Sequence, residues 1–328
     1  RHRWRGRRAV RRSGLGPPPA EVPLATVVGA VPGDLPAPPQ KLARYDTRLA
    51  RIGLAALREI EGDVERALGR WGKRRVAILV GTSTGGLDAT ELAYRHFARE
   101  GTLPPAFDLS TQHDFNALGE LYAAVLGCEG PVYVVSSACS SSGKVHASAA
   151  RLIAAGLVDA ALVGGIDSLC RMTLHGFAGL GILSATACRP FSSARNGINI
   201  GEGAALMLLE RDGESDIAVL GVGESSDAYN MSSPEPSGRG AREAMERALA
   251  AGGVERSEVG LVFAHGTATP QNDLAESAAI AEVLGTSVPV VSTKGYTGHQ
   301  LGAAGATGAV FAAHVARTGR IPPSLGAE

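Results

Sequence analysis

The sequence predicts an α/β fold built on mostly parallel sheets. Short, continuous apolar runs recur along the chain, and Ala-rich stretches of helical character separate them. Runs without polar alternation suit strands buried on both faces, as in a parallel sheet covered by helices. The 43 glycines and many alanines fit the same picture, because small residues let helices approach sheets closely.

In chain order, residues 14–40 are rich in Pro and Gly and read as loop and extended chain. Residues 45–70 place Leu49, Ile52, Leu54, Leu57, Ile60, Val64 and Leu68 at helical spacing, predicting one or two amphipathic helices. Strands are predicted over 76–80, 131–136, 160–164, 204–209, 259–264 and 288–292. Helices are predicted over 143–155, 241–251, 273–284 and 300–316. Residues 1–44 read as a basic and Pro/Gly-rich segment.

Composition excludes several function classes. The 328 residues are 45% hydrophobic and 20% charged, as in a globular chain. Net charge is zero, so no global field favours nucleic acid or an anionic membrane. No apolar run reaches the ~18 residues of a membrane span. The four cysteines, Cys128, Cys139, Cys170 and Cys188, form no CxxC pair, which suggests neither a zinc site nor a redox motif. Sparse cysteine fits the reducing cytoplasm. Seven arginines lie within the first twelve residues, the pattern of a nucleic-acid arm, a transit segment or, more plainly, a disordered tail or fragment start.

Three segments carry chemistry. In VYVVSSACSSSGKVHASAARL an apolar strand runs into a sharp turn holding Cys139, and a helix of small residues follows. A thiol at a helix N-terminus meets unpaired N–H groups and the positive end of the dipole, which favours thiolate. The Cys139 N–H is also a candidate oxyanion donor. In VFAHGTATPQNDLAE, His265 follows a buried strand, where α/β proteins place their chemistry. VVSTKGYTGHQLGAAGATG repeats the arrangement for Lys294 and His299. One thiol with two imidazoles and no carboxylate triad partner differs from a protease. It suits a thioester acceptor and a decarboxylation, with both imidazoles hydrogen-bonding a developing enolate. His2, His96, His113, His146, His175 and His314 read as structural or solvated, and the other three cysteines as structural.

SSACSSS, AHGTATPQND and STKGYTGHQLGAAGATG, in that order, resemble the active-site blocks of the β-ketoacyl-acyl-carrier-protein synthases. RPFSSARNGINIGEGAALMLLER and VGGIDSLC resemble further segments of the family, so the likeness covers roughly residues 45–328. The thiolases are the nearest relatives, but HGTATPQND is a synthase feature. The resemblance implies a thiolase-like layered α-β-α-β-α arrangement of two similar halves, the first over 45–210 and the second over 211–328. It implies that Cys139 takes the acyl group, that His265 and His299 stabilise the enolate formed from malonyl-ACP, and that Lys294 orders the site with Glu276. It implies that Thr267 and Thr269 hold the phosphopantetheine arm and that Ile198 borders the acyl pocket. Ile198 stands where the fatty-acid synthases commonly carry an aromatic residue, which suggests a different acyl chain. The wording of these segments is also similar to synthases of aryl-polyene or polyketide-like clusters. The implied partners are acyl carrier protein, malonyl and acyl thioesters, and a second subunit in a homodimer or heterodimer. No nucleic acid, membrane, metal or organic cofactor is expected. The chain stops at IPPSLGAE, before a GFGG-type loop usual in the family, so the C-terminal half is expected to be incomplete. Competing readings are a non-catalytic partner subunit, a thiolase-like acyltransferase using CoA, and a nucleic-acid binder.

Overall fold

The structure, a computed structural model, describes residues 13–19, 22–230 and 232–325. The arginine run lies outside the described residues. The first half contains α1 (Arg48–Trp71), β1 (Val76–Gly81), α2 (Leu87–Glu100), α3 (Leu109–Gln112), α4 (Asn116–Leu126), β2 (Val132–Val135), α5 (Ser141–Ala154), β3 (Ala160–Asp167), α6 (Arg171–Gly179) and β4 (Gly203–Glu210). Then come α7 (Arg239–Gly252), β5 (Val262–Phe263), α8 (Pro270–Leu284), β6 (Val290–Val291), α9 (Lys294–Thr297) and α10 (Ala304–Thr318).

Residues 45–70 form one helix, not two. Thr47 caps it by accepting the Ala50 N–H at 3.0 Å, and Gly72 ends it at φ 88°. Its buried stripe includes Leu49, Ile52, Leu57, Val64 and Leu68, so the helical spacing in the sequence became the packing face.

The main sheet has the order β2-β1-β3-β4. β1 is parallel to both neighbours, and every residue of β1 and β3 is buried. Alternate residues serve opposite faces. Val76, Ile78 and Val80 pack in a cluster with residues of α1 and α4, while Ala77 and Leu79 pack in a second cluster with Val145 and Ala149 of α5. α10 packs on β3 and β4 and also on β5, where Phe311 stacks on Phe263 with ring centroids 6.3 Å apart. It therefore lies between the two sheets, giving the layered arrangement expected.

β4 runs antiparallel to β3, the one reversed ladder in an otherwise parallel main sheet, within the mostly parallel arrangement expected. One expectation needs correction. The predicted strands over 259–264 and 288–292 shorten to β5 and β6, a parallel pair of two residues each. Neither is fully buried, so little packing reinforces a longer ladder there. β2 is also only partly buried, because it lies at the sheet edge.

Candidate active site

The site forms at the carboxyl ends of β2, β3, β5 and β6. After β2 the chain turns through Ala138, which adopts φ 51°, and α5 begins two residues after Cys139. The serines around Cys139 serve this turn. The Ser137 N–H donates to Ser141 Oγ at 2.9 Å, Ser141 Oγ donates to Ala138 O at 2.6 Å, and Ser140 Oγ donates to Ser137 O at 2.8 Å. Their hydroxyls answer backbone groups that the sharp turn leaves without helix or sheet partners.

His265 is held through its backbone. The N–H groups of His265 and Gly266 donate to the two oxygens of Glu276 at 2.6 and 2.7 Å. Lys294, at the start of α9, donates from Nζ to the His265 carbonyl. Asp273, one turn before Glu276 on α8, accepts the N–H of Ala268 at 3.1 Å and of Phe191 at 2.7 Å. His299 enters from the loop after α9. Its N–H donates to Asn199 O at 2.7 Å, and its carbonyl accepts the Gly201 N–H at 2.9 Å. The segment GINIGE thus braces His299 like a short strand.

These elements bring three side chains together. His299 Nε2 lies 2.9 Å from Cys139 Sγ. The rings of His265 and His299 meet edge to face, with centroids 5.1 Å apart. The thiol and one nitrogen of each imidazole all lie within 4.8 Å of one another. Backbone strain concentrates here too. Of five non-glycine residues at positive φ among the described residues, Ala138, Ala268 and Leu301 flank Cys139, the Thr267–Thr269 loop and His299, and Phe191 is held by Asp273. Such conformations cost about 1–3 kcal/mol each and persist only where the surroundings over-determine them.

Burial sets the electrostatics. It pulls His265 down to about 3 and His299 well below the ordinary imidazole value, with Lys294 acting in the same direction. Both imidazoles are therefore neutral near pH 7, each with one N–H to donate. Burial lowers Lys294 and raises Glu276. The expectation that Cys139 rests as a thiolate needs correction. Burial pushes its thiol up, Lys294 opposes this, and Asp167 adds to it. The pair is then a thiol beside a neutral imidazole. Alkylation of Cys139 by iodoacetamide should therefore keep rising above the ~8.5 of a free thiol, with no step near pH 6.5. A plateau reached by pH 7 would contradict this.

Cys139, His265, His299, Lys294 and Glu276 form one cluster. Thr267 and Thr269 are buried beside it, their hydroxyls 2.8 Å apart. Ile198 is 2% exposed and sits in a neighbouring apolar cluster with Val28, Leu174, Ile200 and Leu301. Cys170 and Cys188 are buried, with thiols raised to about 11. His146 is buried, its Nδ1 2.6 Å from Ser142 O. Sequence reasoning missed Asp273 and Asn199. Asp273 was findable, because it shares a helix face with Glu276. Cys139, His265 and His299 also form the one group of metal-type donors this close among the described residues. A cation placed there would meet the charge of Lys294.

A family model described as "Beta-ketoacyl synthase, N-terminal domain" matches residues 39–215, and "Beta-ketoacyl synthase, C-terminal domain" matches residues 217–328. The chain is 31% identical over 304 residues to "3-oxoacyl-[acyl-carrier-protein] synthase 2" of Staphylococcus aureus, covering 87% of this chain and 75% of that one. The protein of the same description in Vibrio cholerae is 33% identical over 308 residues, covering 87% and 73%. Among solved structures, "Ketosynthase (ApeO) in Complex with its Chain Length Factor (ApeC) from Xenorhabdus doucetiae" matches with TM-score 0.84 and 40% identity, over 92% of this chain and 79% of that one. "The ishigamide ketosynthase/chain length factor" matches with TM-score 0.82 and 30% identity, over 90% and 76%. The layered fold is the thiolase-like fold of these ketosynthases. With both of its halves matched by the family's models, this chain belongs to the beta-ketoacyl synthases, a family of condensing acyltransferases.

Proposed function

We propose that this chain is an active β-ketoacyl-ACP synthase that joins an acyl group held on Cys139 to malonyl-ACP. The observation that carries the reading is the convergence of the Cys139 thiol with His299 and His265. In the first half-reaction the sulfur attacks the acyl thioester carbonyl. The bond to the carrier's sulfur breaks, and the thiol proton passes by way of His299 to the departing thiolate. In the second, the malonyl carbon–carboxylate bond breaks and carbon dioxide leaves. The electron pair becomes a thioester enolate, whose oxygen accepts N–H hydrogen bonds from His265 and His299. The enolate carbon attacks the Cys139 thioester, the carbon–sulfur bond breaks, and the released thiolate takes up a proton from solvent. Neutral imidazoles suit this role, because they donate without trapping a charge.

Lys294 and Glu276 hold the backbone of the His265 loop. Thr267 and Thr269 lie where a phosphopantetheine arm would pass, and Ile198 borders the acyl chain. The reaction needs no metal or organic cofactor, since the phosphopantetheine arrives on its carrier. The halves divide near residue 211. Among the described residues no helix is long and apolar enough to cross a membrane, and a free thiol nucleophile suits the cytoplasm.

A second subunit is part of the reading. β2 is a sheet edge of four uncharged residues, and Tyr133 on it is 52% exposed. An apolar edge without Pro or charge invites another strand. The two neighbours' descriptions pair a ketosynthase with a chain length factor, which favours a related subunit as the partner. The intact Cys139 and both histidines favour the catalytic role for this chain. The test supplies acyl-ACP and malonyl-ACP, alone and with a candidate partner subunit, and follows β-ketoacyl-ACP and released carbon dioxide together. Equal formation of both supports the reading. Neither product under any combination would sink it.

A further inference from the structure

We propose that Asp167 is a positioning residue for the condensation, fixing His299 against Cys139. The proposal rests on the catalytic reading above. Asp167 ends β3, and its side chain is fully buried. Its carboxylate accepts from Thr82 Oγ1 at 2.7 Å, Ser83 N at 2.9 Å, Ser83 Oγ at 2.8 Å, Thr84 N at 2.8 Å, Thr84 Oγ1 at 2.7 Å and the N–H of Gly302. A carboxylate offers about four lone-pair sites, so six donors saturate it. Among the described residues it makes no ion pair with Lys or Arg.

Those donors belong to two loops, which the Gly302 N–H also joins directly by donating to Ser83 Oγ at 3.3 Å. Thr82–Thr84 follow β1. Gly302 lies three residues beyond His299, with Leu301 at φ 48° between them. The Gly302 clamp therefore fixes how the chain leaves His299, while the bond from His299 N–H to Asn199 fixes how it arrives. The nucleophile side is tied in through Ser142 of α5, whose hydroxyl accepts the Ala306 N–H at 2.9 Å just beyond the same loop. A carboxylate spanning these loops also places a negative charge in the field of Cys139. There it opposes thiolate and offsets Lys294, with the neutral His265 and His299 completing the charged and titratable surroundings. A purely structural tie needs no net charge, because hydroxyls and a neutral amide could cross-link the same loops.

The test compares wild type with Asp167→Asn, which keeps the shape and removes the charge. Melting and circular dichroism report folding. Iodoacetamide alkylation of Cys139 against pH needs no substrate. Carbon dioxide release from malonyl-ACP reports the histidines. The alkylation midpoint should fall, because a charge that opposes the thiolate is gone. Decarboxylation should fall about 10–100-fold in kcat with little change in KM, the cost of a small misplacement at a reacting centre. A folded Asp167→Asn with either readout unchanged overturns the proposal. If that variant does not fold, Ser83→Ala with Thr84→Val removes two hydroxyl donors and keeps the charge. It should lower decarboxylation about 10-fold, and a wild-type rate in it overturns the proposal. Wild type that releases no carbon dioxide would count against the catalytic reading, whereas the alkylation midpoints would still judge Asp167.

Discussion

His299→Ala is expected to lower malonyl-ACP decarboxylation by about 10²–10³-fold, the usual cost of removing one donor to a developing oxyanion. The same change removes the only side-chain partner of Cys139 Sγ among the described hydrogen bonds, at 2.9 Å. Acyl transfer to the thiol should therefore slow as well. His299 is 1% exposed, so losing its ring also leaves a cavity and should lower the melting temperature; the rates are therefore compared on protein shown to be folded. His265→Ala separates the two roles. His265 meets His299 at the ring edge and makes no bond to the thiol, so decarboxylation should fall while acylation by acyl-ACP persists. Stopped-time carbon dioxide capture and acyl-enzyme mass measurements distinguish the half-reactions. Equal loss of both steps in His265→Ala would contradict the division.

The second large effect is expected at a residue with no side chain. Gly165 lies on β3, where α5 and the loop after His299 close onto the sheet. A Cβ added there would lie 2.6 Å from Ser142 Cβ, 2.9 Å from Ala303 Cα and 2.9 Å from Gly302 O. None of these is the end of a flexible chain, so Gly165→Ala must move α5 or the His299 loop. Overpacking of this kind costs about 1–3 kcal/mol. The displacement also parts Cys139 from His299, and a shift of 1 Å at a reacting pair can cost about 10²-fold in rate. Thermal melting and condensation rate should fall together. A Gly165→Ala protein with wild-type rate would show that the close approach does not set the geometry.

Much of this was legible in the sequence, for a physical reason. β1 and β3 are buried on both faces, so their apolar runs are unbroken and conspicuous. The three site segments were legible because each sets an unusual residue just after a strand. The direction of β4 was not. It lies against β3, but 35 residues, α6 among them, separate the two, and a run of apolar residues carries no sign of its direction. β5 and β6 were read too long because half-buried apolar segments look like strands even where few ladder bonds form. The protonation state of Cys139 was misread because the helix terminus is visible in the sequence and the depth of burial is not. Asp167 was unreadable for a related reason. Its donors lie 83 to 85 residues before it and 135 residues after it, and only the fold gathers them.

The central claim is that Cys139 carries the acyl group. Intact-protein mass measurement after incubation with a panel of acyl-ACPs, followed by peptide mapping, tests it most directly. A single acyl adduct on the peptide holding Cys139, absent from Cys139→Ala, is the predicted result. An adduct that persists in Cys139→Ala, or no adduct on folded protein alone and with a candidate partner subunit present, would contradict it.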